Sequence, residues 1–133
     1  MPEPLVIDAN PIMSALLGGT AREVLFSDKY VLYSPQHTLF EVAKYLPFLA
    51  RRLDVPELDL LREYQLLPII ACQPDQYDAQ IPEATRMIGA RDPRDIAVLA
   101  LTLSLGCPLW TEDRDFDGLA RITVQRTADL LAR

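Results

Sequence analysis

Along the chain, short apolar runs rich in β-branched residues alternate with stretches whose apolar positions recur at helical spacing. "LVIDA" at 5–9, "KYVLYS" at 29–34, "LLPIIA" at 66–71, "PLWT" at 108–111 and "ITVQR" at 122–126 read as strands. Between them the pattern predicts helices over 11–18, 20–27, 36–53 (with Pro47 as a candidate bend), 56–64, 80–89 and 93–105. Strands separated by helices predict an α/β fold, a three-layer α/β/α sandwich with a central, mainly parallel sheet of four to five strands. No repeat, low-complexity tract or linker interrupts the pattern, so residues 1–133 read as a single domain.

Asp8 breaks this pattern. It follows Leu5, Val6 and Ile7 with no basic neighbour, and a lone buried carboxylate must protonate, pair or bind metal. In parallel sheets, ligands bind beyond the carboxyl ends of the strands. Asp8 lies at such an end, and Glu112, Asp113 and Asp115 follow "PLWT" in the same way. The helix "DIAVLALTLSLG" is apolar around almost its whole circumference from Ile96 to Leu105, which predicts burial, and Gly106 is its stop. At its head, "DPRD" places Asp92 and Asp95 on the same rim.

Each acid has a plain local explanation. Asn10 as N-cap with Pro11 at the first helical position is a standard helix start, although it leaves Asp8 unaccounted for. Asp92, Pro93 and Asp95 likewise suit a capped helix start. Glu41 projects opposite the stripe of Leu39, Val42, Ala43 and Leu46, with Lys44 nearby, as a solvated residue would. Asp117-Gly118 reads as a turn, Glu112 as exposed, and the surrounding acids as a surface loop balanced by Arg114. His37, the only histidine, reads as a surface residue and Trp110 as core.

Composition alters the balance between these readings. A net charge of −6 argues against a broad nucleic-acid-binding face, yet carboxylates that hold cations count as negative until loaded. Six of the nineteen acids fall between residues 92 and 117. Taken jointly, separate groups of acids converge on one rim, while the only lysines, Lys29 and Lys44, follow no strand end there. Like charges held close repel, and a hard divalent cation such as Mg²⁺ or Mn²⁺ relieves that repulsion. This points to metal-assisted phosphodiester hydrolysis. A lone histidine excludes an imidazole acid–base pair and a zinc site of several imidazoles. No apolar run reaches 18 residues, so no membrane span is expected, and "MPEPLVID" lacks the basic flank of a signal peptide. Cys72 and Cys107, without metal-like spacing, predict a reduced cytoplasmic protein.

"VIDANPIMSALL", the Glu in "LFEVAKYL" and "DPRDIAVLALTLSLGCPLWTEDRDF" resemble the PIN domain family, particularly VapC-type toxins of prokaryotic toxin–antitoxin pairs. The resemblance covers nearly the whole chain through an ordered Asp…Glu…Asp…"T-x-D-x-D-F" pattern. It implies an α/β/α sandwich with a parallel sheet and a Mg²⁺- or Mn²⁺-dependent ribonuclease. The family's acids match Asp8, Glu41, Asp95 and Asp113, and its polar helpers match Asn10 and Thr111. Asp115 replaces or assists Asp113 as the last ligand, and Asp92 is a further ligand or a cap. The resemblance further implies an RNA substrate, a homodimer and a cognate antitoxin protein covering the active-site groove.

Other α/β phosphate enzymes fit less well. A haloacid-dehalogenase-type phosphatase wants a second Asp where Asn10 stands and a late Lys, yet no Lys follows Lys44. A response-regulator receiver wants an Asp after its third strand, where "LLPIIACQP" offers none. The alternative from another class is a catalytically silent PIN-like module that binds RNA or a protein partner.

Overall fold

A computed structural model describes residues 1–89 and 93–133. In chain order the elements are β1 (Glu3–Ile7), α1 (Ala9–Leu16), α2 (Ala21–Leu25), β2 (Tyr30–Pro35), α3 (Gln36–Leu53), α4 (Glu57–Gln65) and β3 (Ile69–Cys72). These are followed by α5 (Ile81–Ile88), α6 (Pro93–Leu105), β4 (Leu109–Trp110), β5 (Val124–Gln125) and α7 (Thr127–Leu131). Short 3₁₀ turns cover Pro74–Gln76, Asp78–Gln80 and Arg114–Phe116. The five strands form one sheet in the order β3-β2-β1-β4-β5, with every pairing parallel.

Alternation along the strands builds the three layers. On β1, Leu5 and Ile7 pack with α1, α2, α3 and α4, while Val6 points to the opposite face against α5 and α6. On β4, Trp110 joins the first cluster and Leu109 the second. This is the period-two geometry of a sheet buried on both faces, and it explains why the strands read as continuous apolar runs. The chain winds outward from β1 through β2 to β3, then returns to place β4 on the other side of β1. The covering helices change face at that return, so the β1/β4 boundary is the topological switch point.

The α6 helix runs Pro93–Leu105, and Val98, Leu99, Ala100, Leu101 and Thr102 are all buried. Gly106, with φ of 63°, ends it by donating its N–H to the Thr102 carbonyl at 3.0 Å. The expected helix over 36–53 is α3, and Pro47 lies inside it without ending it. The β4-to-β5 connection differs from the others. A parallel pair normally needs a helical crossover, but residues 111–123 cross over the carboxyl edge with only one 3₁₀ turn. Cys72 and Cys107 are free thiols in the second core, and burial pushes both above the usual thiol range.

This packing yields a stability contrast. Leu99, fully buried, should cost about 2–5 kcal/mol when cut to Ala. Leu66, 75% exposed, should change stability by less than about 0.5 kcal/mol on the same substitution. Urea unfolding followed by the fluorescence of the single tryptophan, Trp110, measures both.

Candidate active site

Asp8 follows β1 directly and is only 7% exposed. The structure corrects the expected helix start. Asp8, not Asn10, is the N-cap of α1, and its Oδ1 accepts from the Ala9 N–H at 2.8 Å. The helix therefore begins two residues before Pro11, whose missing N–H costs nothing in a first turn where N–H groups have no intrahelical acceptor. Asn10, freed from capping, accepts the Glu112 N–H on its Oδ1 at 3.1 Å and ties α1 to the loop after β4.

The second oxygen of Asp8 faces across the switch point. Thr111, fully buried at the end of β4, donates its hydroxyl to Asp8 Oδ2 at 2.8 Å. The same Thr111 oxygen accepts the Asp113 N–H at 3.0 Å, and Asp113 Oδ1 accepts the Asp115 N–H at 2.9 Å. A hydrogen-bonded series thus runs from Asp8 through Thr111 to the 3₁₀ turn that carries Asp115. On the neighbouring strand, the buried Ser34 hydroxyl donates to the Ile7 carbonyl at 3.0 Å.

Asp95 enters from the opposite face of the sheet, in the first turn of α6, where the helix dipole favours a negative charge. It is 7% exposed, as its position ahead of a buried helix implied. It takes part in further polar interactions, and its Oδ2 atom is buried and accepts no hydrogen bond among the described residues. Asp95, Asp113 and Asp115 each offer one carboxylate oxygen, and these oxygens lie within 4.8 Å of one another. A set made only of carboxylate oxygens fits a hard divalent cation of the Mg²⁺ or Mn²⁺ kind.

Asp8 and Glu41 stand outside that threesome but line the same cavity, of about 400 Å³, together with Asp95 and Asp113. Glu41 is less solvated than its helix face suggested, and Lys44 is near it as expected. Lys44 Nζ lies 3.2 Å from Glu41 Oε1, with His37 Nε2 at 3.8 Å from the same oxygen. Lys44 follows no strand end, as expected, and its pairing with Glu41 arises because α3 carries both residues one turn apart. Arg94 also lines the cavity. Sequence reasoning placed His37 on the surface. It is exposed, but beside the carboxylates, and its position one turn before Glu41 is the signal that could have shown it. Asp92 lies outside the described residues.

The loop after β4 is held from its far side by β5 and α7. Arg126 donates to the Thr111 carbonyl at 2.8 Å and forks onto both oxygens of Asp117 at 2.7 and 2.8 Å. Glu112 Oε1 accepts the Thr127 N–H at 2.8 Å, and Trp110 Nε1 donates to Thr127 Oγ1 at 3.0 Å. Asp117 and Gly118 make the expected turn, with Gly118 at φ of 76°.

The chain matches the family model described as "PIN domain" over residues 6–131. Among solved structures, it resembles VapBC2 from Rickettsia felis bound to a DNA fragment from their promoter. There the TM-score is 0.67 and the identity 9%, covering 92% of this chain and 98% of that one. It also resembles PAE2754 from Pyrobaculum aerophilum, with TM-score 0.62 and 19% identity over 100% of this chain and 98% of that one. At these identities the two structures speak for the fold. No curated protein matches the sequence.

The Thr111 bridge can be tested directly. Thr111→Val removes a buried hydroxyl that both donates and accepts, and should destabilise by about 1–3 kcal/mol. Thr111→Ser should recover most of that loss. Urea midpoints followed by circular dichroism report both.

Proposed function

The chain belongs to the PIN domain family, and from that premise we propose that it is a metal-dependent endoribonuclease, the toxin of a type II toxin–antitoxin pair. The observation that carries this reading is the convergence of Asp95, Asp113 and Asp115, with Asp8 and Glu41 on the wall of the same cavity. PIN domains are typically nucleases. Asp95, Asp113 and Asp115 would hold Mg²⁺ or Mn²⁺, with Asp8 and Glu41 facing the same space. A cation so held supplies Lewis-acid polarisation of the phosphate and lowers the pKa of the attacking water.

The chain's own groups then have distinct tasks. Thr111 fixes the Asp8 carboxylate by occupying Oδ2, and Asn10 fixes the start of the acidic loop through the Glu112 N–H. Asp113, held by its bonds to Thr111 and to the Asp115 N–H, would orient the attacking water from its place among the metal-holding acids. With His37 the only histidine, no imidazole pair is present for transphosphorylation through a 2′-hydroxyl. Direct hydrolysis leaves 5′-phosphate and 3′-hydroxyl ends.

The partners follow from the same reading. The VapBC2 resemblance supports a separate antitoxin protein as partner; in this reading the antitoxin covers the cavity, and a homodimer is the expected assembly. No helix among the described residues is long and apolar enough to cross a membrane. With two free buried thiols, the cytoplasm is the proposed compartment.

RNA cutting with Mn²⁺, assayed on oligonucleotides and paired with Mn²⁺ titration calorimetry, tests the proposal. Asp95→Asn should lower the rate by at least about 100-fold, the upper end of losses seen for groups only in contact with metal ligands. EDTA should abolish cutting, and a 2′-deoxy substitution at the cut linkage should leave it intact. Full activity in EDTA or in Asp95→Asn refutes the scheme. Heat-silent Mn²⁺ titration together with inert protein favours the silent binding module.

A further inference from the structure

The Asp113 and Asp115 carboxylates stand on a loop with one 3₁₀ turn and no α-helix, yet a metal site needs its oxygens fixed. Part of what fixes them comes from outside the loop. Arg126 fills the one-residue joint between β5 and α7, with its side chain only 25% exposed. Its Nη1 donates to the Thr111 carbonyl at 2.8 Å and to the Asp113 carbonyl at 3.4 Å. Its Nη2 donates to both Asp117 oxygens, at 2.7 and 2.8 Å. One guanidinium thus grips the loop at Thr111, Asp113 and Asp117, and both acids lie within that span.

The grip acts on a particular peptide. The Thr111 carbonyl and the Glu112 N–H belong to one planar unit, and a trans peptide points them in opposite directions. Arg126 holds the carbonyl, while Asn10 on α1 accepts the N–H on its Oδ1 at 3.1 Å. That peptide is therefore clamped between α1 and the β5–α7 joint. It is also the link between Thr111, whose hydroxyl holds Asp8, and Asp113. Turning it would move the two carboxylates relative to each other. The backbone of Arg126 is itself tied down, its N–H donating to Asp129 Oδ2 at 2.8 Å.

Charge alone argues against a guanidinium at this place, since a bare cation behind an acidic rim opposes the uptake of another. Asp117 answers that objection. Forked onto Nη2, it offsets the charge of Arg126 and leaves Nη1 on the carbonyls. A planar fork with five donors can serve both at once, which the point charge of a lysine cannot.

We propose that Arg126 is a positioning residue of the carboxylate rim. By holding the Thr111 and Asp113 carbonyls it sets the place of the Asp113 and Asp115 side chains, and Asp117 anchors it and offsets its charge. The proposal rests on the metal-dependent reading above and adds to it a residue that touches neither metal nor RNA.

Mn²⁺ titration calorimetry reads the effect without any cutting. Arg126→Gln should weaken Mn²⁺ binding by about 10- to 100-fold, the loss typical when a partner of a metal-holding group is removed. Charge alone predicts the opposite sign, because the substitution removes a cation. Arg126→Lys keeps the charge and loses the fork, and should fall with Arg126→Gln. Asp117→Asn, at a half-exposed turn, carries the test if Arg126→Gln does not fold. It should weaken Mn²⁺ binding less, and in the double variant should add no more than about 2-fold to the loss in Arg126→Gln. In the metal-free protein, amide exchange at Asp113 and Asp115 should quicken by about 10-fold or more in Arg126→Gln, the factor for one lost hydrogen bond to a charged group. Ile88→Val, in the core under α5, should lower the urea midpoint and leave both readouts unmoved. With saturating Mn²⁺, cutting by Arg126→Gln should return toward the wild-type rate, with KM for RNA unchanged. Unchanged or tighter Mn²⁺ binding in Arg126→Gln or Asp117→Asn, or wild-type binding in Arg126→Lys, overturns the proposal. So does a raised KM for RNA at unchanged Mn²⁺ affinity, which would make Arg126 an RNA contact. A wild-type protein that binds no Mn²⁺ overturns the nuclease reading instead, and the hold of Arg126 on the loop then stands or falls by the exchange rates.

Discussion

Carboxylates set close together in a low-dielectric rim repel one another, and folding brings several of them to the same edge of this sheet. The chain meets that constraint with fixed donors: a helix N-terminus beneath Asp8, a second beneath Asp95, and the Thr111 hydroxyl between Asp8 and Asp113. The sheet order makes this possible. Because β4 lies against β1, the residue after each strand meets its counterpart across the switch point, while α6 brings Asp95 from the other face. The architecture and the site are thus consequences of one topological choice.

Most of the architecture was written in the periodicity. The helix over 36–53 and the helix over 93–105 have the expected limits because their apolar stripes are long and their ends carry breakers. The short elements were harder. The strand expected over 122–126 shrinks to Val124–Gln125, and the α7 turn at Thr127–Leu131 carries too few residues for a helical period to show. Strand order could not be read, since it is decided by long-range packing rather than by any local run.

The site was legible in its residue types and less so in their local roles. Asn10 and Asp8 are both good capping residues, and Pro11 drew the start toward Asn10. The tertiary demand that Asn10 reach the Glu112 amide settled it the other way. Glu41 looked solvated because helix α3 has one face on the core and its flank on the cavity, a distinction a two-state hydrophobic stripe cannot encode. His37 was passed over for the same reason: it is exposed, and exposure alone does not tell open surface from the mouth of a cleft.

The bridging segment between β4 and β5 has little regular structure of its own. Two paired residues on each strand, one 3₁₀ turn and the side chains of Arg126, Glu112 and Trp110 hold it in shape. Such a segment opens more readily than the packed helices around it. Mild stress should therefore scatter Asp113 and Asp115 while the two hydrophobic cores stay closed, so that the rim comes apart before the molecule loses its shape. Two of the rim's acids are thus carried by its least secure part, whereas Asp8, Glu41 and Asp95 sit on packed elements.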